Sequence, residues 1–84
     1  MSKKFLQLKA LRLKAGFLRQ EDMLSSTPTP GISLAQLGNL ERGAFTRLPR
    51  EKTLMALSTL LGVSMRDLYI IFNQFLNAKA VEEE

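Results

Sequence analysis

Gly31-Ile32-Ser33-Leu34-Ala35-Gln36-Leu37-Gly38-Asn39-Leu40-Glu41-Arg42-Gly43 is the stretch that decides how this chain is built. Ser33 followed three residues later by Gln36 is a capping box, in which the hydroxyl accepts an N–H of the first turn and the amide reaches back to the cap's own N–H. A helix therefore opens at Ser33. Leu37 and Leu40 give it one inward edge, and Gly43 is the kind of residue that lets a chain leave a helix. Gly38 weakens the middle by about 1 kcal/mol relative to Ala, which points to packing or a close approach there. The spacing predicts a helix over residues 33–42 with Leu34, Ala35, Gln36, Gly38 and Asn39 on its outward side.

Upstream, Phe5, Leu8, Leu11, Ala15 and Leu18 recur at helical spacing with basic residues between them, and Gly16 stands where a helix would end; this predicts a first helix over residues 3–15. Arg19-Gln20-Glu21-Asp22-Met23-Leu24 opens a short second helix, residues 19–26, whose acids complement the positive amino end. Ser25-Ser26-Thr27-Pro28-Thr29-Pro30 cannot continue it, because each Pro disfavours helical geometry in the residue before it.

Downstream, Phe45-Thr46-Arg47-Leu48 reads as a connection, and Pro49 suits the first position of a fourth helix, whose span is residues 50–61. Leu54, Leu57 and Leu61 form its buried stripe, flanked by Met55 and Leu60. Ser64-Met65-Arg66-Asp67 is a second capping signature and opens a fifth helix over residues 65–79, apolar at Leu68, Ile71, Phe72, Phe75 and Leu76. Tyr69 and Ile70 lie outside that stripe, so this helix is apolar around more of its girth than one core requires. Tyr69, Ile70 and Leu76 are accordingly candidates for contact with a second copy. No alternating polar and apolar run suggests a strand. The expectation is a compact all-α domain of five helices over residues 1–81, followed by the acidic tail Glu82-Glu83-Glu84.

Composition narrows the chemistry. Eighty-four residues suit a single core, and 45% hydrophobic with 24% charged residues is ordinary for a folded domain. The chain has no Cys and no His, which removes disulfides, Cys/His zinc sites, thiol nucleophiles and imidazole triads. A protein without enzymatic activity, metal or cofactor is expected. The longest apolar stretch, Leu68-Tyr69-Ile70-Ile71-Phe72, falls far short of the roughly 20 residues of a membrane span. Gln7, Lys9 and Arg12 break the apolar run a signal peptide needs, so the sequence reads as cytoplasmic with no membrane partner.

Twelve Lys and Arg against eight Asp and Glu give a net charge of +4. The distribution is uneven: Lys3, Lys4, Lys9, Arg12, Lys14 and Arg19 precede the first acid, and three acids close the chain. A basic body suits a polyanion, since Lys and Arg beside phosphates release condensed counterions.

The middle of the chain resembles a known family. Leu8-Lys9-Ala10-Leu11-Arg12-Leu13-Lys14-Ala15-Gly16 is similar to the opening of the Cro/repressor-type (XRE, lambda-repressor-like) helix-turn-helix domains. Gln20-Glu21 resembles the start of that family's second helix, Gly31-Ile32-Ser33 its turn, and Leu40-Glu41-Arg42-Gly43 the end of its third. Pro49, Leu54, Leu57, Leu60, Leu61, Gly62, Val63, Ser64 and Leu68 resemble its last two helices. The likeness covers about residues 8–72, but the Gln20-to-Gly31 interval exceeds the family's, the surplus falling in the Ser/Thr/Pro tract.

The resemblance implies a DNA-binding transcriptional regulator whose third helix enters the major groove of double-stranded DNA. Leu34, Ala35, Gln36 and Asn39 would then meet base edges, with the amides suited to adenine and the apolar groups to thymine methyls, hence an A/T-rich preference. Gln20 matches a phosphate-clamping position, Arg19 adds charge beside it, and Thr46, Arg47 and Arg50 would hold the opposite flank. Arg12 would pair with Glu41 and serve structure. A homodimer on two half-sites about one helical turn apart follows from the same mapping. The alternative is a protein-interaction module on the same fold, docking a polymerase, a toxin or a larger repressor; Leu34, Gly38 and the lack of basic residues on the presented part of the third helix favour it.

Overall fold

A computed structural model describes residues 3–83, and among them every regular element is a helix: α1 (Leu6–Lys14), α2 (Gln20–Leu24), α3 (Leu34–Glu41), α4 (Glu51–Leu61) and α5 (Met65–Glu83). The chain is an all-α domain. Side-chain chemistry at the ends accounts for where each helix differs from its sequence-based span.

α1 begins at Leu6 because Phe5 is pulled inward as its cap residue, with its N–H donated to the carbonyl of Glu41 at 2.9 Å. The helix ends at Lys14, so Leu18 no longer follows its face and stands 79% exposed, contrary to its expected place in the stripe. Ala15 is exposed too, and Phe17 packs against the core instead. α2 is only five residues long. The hydroxyls of Ser25 and Ser26 donate back to the carbonyls of Asp22 (3.2 Å) and Met23 (2.6 Å), a local competition that ends the helix before the prolines do.

In α3 the capping box forms as the sequence predicts: Ser33 Oγ accepts from Gln36 N at 3.1 Å, and Ser33 N donates to Gln36 Oε1 at 2.9 Å. Pro49 is not the first residue of α4. Arg50 takes the cap position in extended geometry (ψ 154°), which places Pro49 one residue outside and Glu51 in the first turn, where its charge suits the helix dipole. Ser64 Oγ accepts from Asp67 N at 3.1 Å and opens α5. α5 runs on past residue 79 through Glu83, so the expected acidic tail is largely helical backbone, and Glu84 lies outside the described residues.

The core joins Leu8, Met23, Ile32, Leu37, Leu54, Leu57 and Leu68 to an aromatic group of Phe5, Phe45, Phe72 and Phe75. Phe5 stacks on Phe75 with centroids 4.5 Å apart and meets Phe72 edge-on at 4.9 Å; Phe45 stacks on Phe75 at 5.3 Å. This group ties the amino end, the α3–α4 connection and α5 together. Lys79 adds a polar tie, donating to the carbonyls of Gly43 (2.8 Å) and Phe45 (2.9 Å) just past the end of α3, where a cation offsets the negative end of the helix.

Arg12 and Glu41 pair as the resemblance implies, and both are buried at 4% and 8% exposure. Nε donates to Oε2 at 2.8 Å and Nη2 to Oε1 at 3.1 Å, a two-point guanidinium–carboxylate contact between α1 and α3. Nη1 donates to the carbonyls of Phe17 (2.9 Å) and Leu18 (2.6 Å), so the guanidinium also holds the turn that leads into α2.

Candidate nucleic-acid interface

With Leu37 and Leu40 buried, the capping box and the packing of α2 against α3 leave Leu34, Ala35, Gln36 and Asn39 on the exposed side of α3. A groove of about 600 Å³ runs along this side, lined by Gln36, Asn39 and Leu40 of α3, Pro49 and Arg50 of the connection, and Lys52 and Thr53 of α4. The structure therefore brings two of the expected base-reading residues, Gln36 and Asn39, into one groove with one of the expected phosphate-binding residues, Arg50. Lys52 joins them unforeseen, placed in the first turn of α4 because Arg50 caps the helix and Glu51 opens it.

Gly38 is buried, not groove-facing. A Cβ there would lie 3.3 Å from Arg42 Nη1 and 3.5 Å from Gln20 Oε1, so two long polar side chains lie over the bare backbone of α3. This is the close approach that a glycine inside a helix suggested. Gln20, at the start of α2, is half-buried against it. Arg42 is an exposed residue outside the expected set; its guanidinium turns back and donates to Asn39 Oδ1. The signal was present, because residues 35, 38, 39 and 42 share one side of a helix at the i, i+3, i+4, i+7 spacing.

The remaining candidates disperse. Arg19 is exposed at the cap of α2 with its guanidinium 3.6 Å from Asp22, a surface pair of little energetic consequence. Arg47 is exposed on the α3–α4 connection. Thr46 is not brought to the groove; it lines a separate small crevice with Leu76, Lys79 and Ala80, because Lys79 draws that part of the connection onto α5. Of the expected dimer residues, Tyr69 and Ile70 are 38% and 44% exposed, while Leu76 is half-buried beside Thr46.

The Ser/Thr/Pro insertion keeps clear of α3's groove. Ser26, Thr27, Thr29, Pro30 and Gly31 lie against Met55, Ala56, Thr59 and Leu60, farther along α4, and line a separate groove of about 450 Å³. Gln36 and Asn39 are thus neither buried nor covered by the prolines. No protein-family model matches the chain, and no curated protein or solved structure matches it either. The chemistry of the groove must be judged on its own residues. Three cations, Arg42, Arg50 and Lys52, are exposed on or beside it, and its two amides point outward. Each amide oxygen already accepts one hydrogen bond within the protein, Gln36 Oε1 from Ser33 N and Asn39 Oδ1 from the Arg42 guanidinium, and keeps a second lone pair.

No single helix among the described residues is long and apolar enough to cross a membrane.

Proposed function

We propose that this chain is a DNA-binding regulator of the helix-turn-helix kind, with α3 laid in the major groove and no catalysis of its own. One observation carries the reading: Gln36 and Asn39 share an open groove with Arg50 and Lys52, and no residue of the Ser/Thr/Pro insertion lines it. The net charge of +4 and the basic residues around α1 and α2 supply the long-range attraction to phosphates. Arg50 and Lys52 hold the backbone on one flank, and Arg19 and Gln20 hold it on the other.

Fluorescence anisotropy with a mixed-sequence duplex tests this. Binding at low salt with a log–log salt slope of several is expected, and Arg50→Ala with Lys52→Ala should reduce the slope by about one for each phosphate left without its cation. No binding at low salt would instead favour the protein-interaction reading, which the 45% exposure of Leu34 at the head of α3 supports.

The regulator acts as a homodimer, joined through the outer face of α5. The buried residues Leu68, Phe72 and Phe75 occupy one side of that helix, and the exposed Tyr69 and Ile70 stand away from them. Sedimentation velocity at micromolar concentration should give a dimer for the native chain and a monomer for Ile70→Lys, with the thermal melt little changed. A native monomer overturns the dimer and leaves DNA binding standing.

A further inference from the structure

We infer that two copies of the chain join through α5 helices laid antiparallel, in the register that sets Ile70 of one copy against Ala80 of the other. The inference rests on the α5 dimer proposed above and deepens it by fixing the direction of the partner.

The outward side of α5 is one continuous row. Arg66, Ile70, Asn73, Asn77 and Ala80 follow one another at alternating steps of four and three residues, and each of them is exposed. Those are the steps of a seam between two helices, because a repeat of 3.5 residues keeps one row facing its neighbour along its whole length. Tyr69 and Val81 stand beside the row, exposed at 38% and 71%. The core of the domain uses the opposite side, where Leu68, Phe72 and Phe75 are buried and Lys79 is tied to the carbonyls of Gly43 and Phe45. The row is therefore regular over most of α5 and is not used within one copy.

This row is complementary to its own reverse. An antiparallel second copy pairs Ile70 with Ala80, Tyr69 with Val81 and Asn73 with Asn77. Apolar groups then meet apolar groups, and amide meets amide, each able to donate and accept. The two-fold axis crosses α5 near Phe75, and every pair occurs twice, as an isologous contact requires. Charge decides the direction. Arg66 stands in the first turn of α5, and the sequence closes with Glu82-Glu83-Glu84 directly after Val81. Antiparallel copies bring each Arg66 beside the acidic end of the other copy. Parallel copies would set Arg66 against Arg66 and acids against acids, and charges flanking such a seam set the orientation of the helices.

The chain has no Cys, so introduced thiols report the register without interference. Ile70→Cys and Ala80→Cys, mixed in equal amounts in a glutathione redox buffer, should give the 70–80 disulfide in large excess over either homodisulfide, read by mass after proteolysis. Two copies of residue 70 lie about 15 Å apart along the axes of antiparallel helices, beyond the roughly 7 Å between Cα atoms that a disulfide spans. Arg66→Glu should weaken the native dimer roughly three- to fivefold in sedimentation equilibrium at low salt. The same substitution in a chain ended at Val81 should leave the dimer unchanged, since the acids it would oppose are gone. Thermal melts check that both variants keep the fold. Homodisulfides in excess, a dimer that forms no disulfide at either position, or a dimer unmoved by Arg66→Glu would overturn the inference while leaving a dimer in place. A native chain that stays monomeric would overturn the α5 dimer itself and this inference with it.

Discussion

Arg12→Ala is expected to lower the stability of the domain by about 3 to 5 kcal/mol, the usual cost of removing one member of a buried ion pair. Glu41 would be left 8% exposed with neither of its two guanidinium contacts, and the carbonyls of Phe17 and Leu18 would lose their donor as well. Small domains hold only about 5 to 15 kcal/mol in total, so the loss is a large share of the whole. At this chain length each kcal/mol moves the melting temperature by about 4 to 8 °C, and a fall of more than about 10 °C by circular dichroism is expected. Arg12→Met combined with Glu41→Leu should recover part of it, because the burden lies in the stranded carboxylate and not in the missing cation. A melt unchanged in Arg12→Ala would show that the pair does not pin α1 to α3.

That pair was legible in the sequence, but only through the likeness of Leu11-Arg12 and Leu40-Glu41-Arg42-Gly43 to a family pattern; spacing alone says nothing of a contact between residues 12 and 41. Local signals carried further. Ser33 with Gln36, Ser64 with Asp67 and the leucine stripe of α4 each rest on neighbours within one or two helical turns, and each appears as expected. What escaped was set by distant parts of the chain. Leu18 had the right period to be core and is exposed, since Arg12 draws the carbonyls of residues 17 and 18 inward and leaves the leucine side chain outside. Phe45 gave no periodic signal, yet it stacks on Phe75. Thr46 followed α3 closely enough to suggest a phosphate contact, and Lys79, 33 positions later, holds that segment against α5. Arg42 was visible as a same-side neighbour of Asn39, but not that its guanidinium lies back over the bare backbone at Gly38 and donates to Asn39.

Gly43→Ala should cost about 3 kcal/mol or more, for two reasons that add. The residue sits at φ +76°, in the left-handed region that burdens any residue with a Cβ by about 1 to 2 kcal/mol. Its Cβ would also meet the Lys3 carbonyl oxygen at 2.0 Å and Phe75 Cζ at 2.7 Å. A backbone atom cannot step aside as a side-chain tip can, and forcing extra volume into a packed site typically adds about 1 to 3 kcal/mol. Relief would require the amino end to move off α3, which breaks the Phe5 N–H contact to the Glu41 carbonyl and disturbs the stack of Phe5 on Phe75. Gly62 supplies the control: it shares the left-handed geometry at φ +68°, but a Cβ there has nothing within 4 Å. Gly62→Ala should therefore show only the backbone burden, about 1 to 2 kcal/mol. Chemical denaturation of the two variants measures the difference directly. Equal costs at the two positions would mean that residues 3–5 do not lie against the end of α3, and that α3 is held by the Arg12–Glu41 pair and its inward leucines alone.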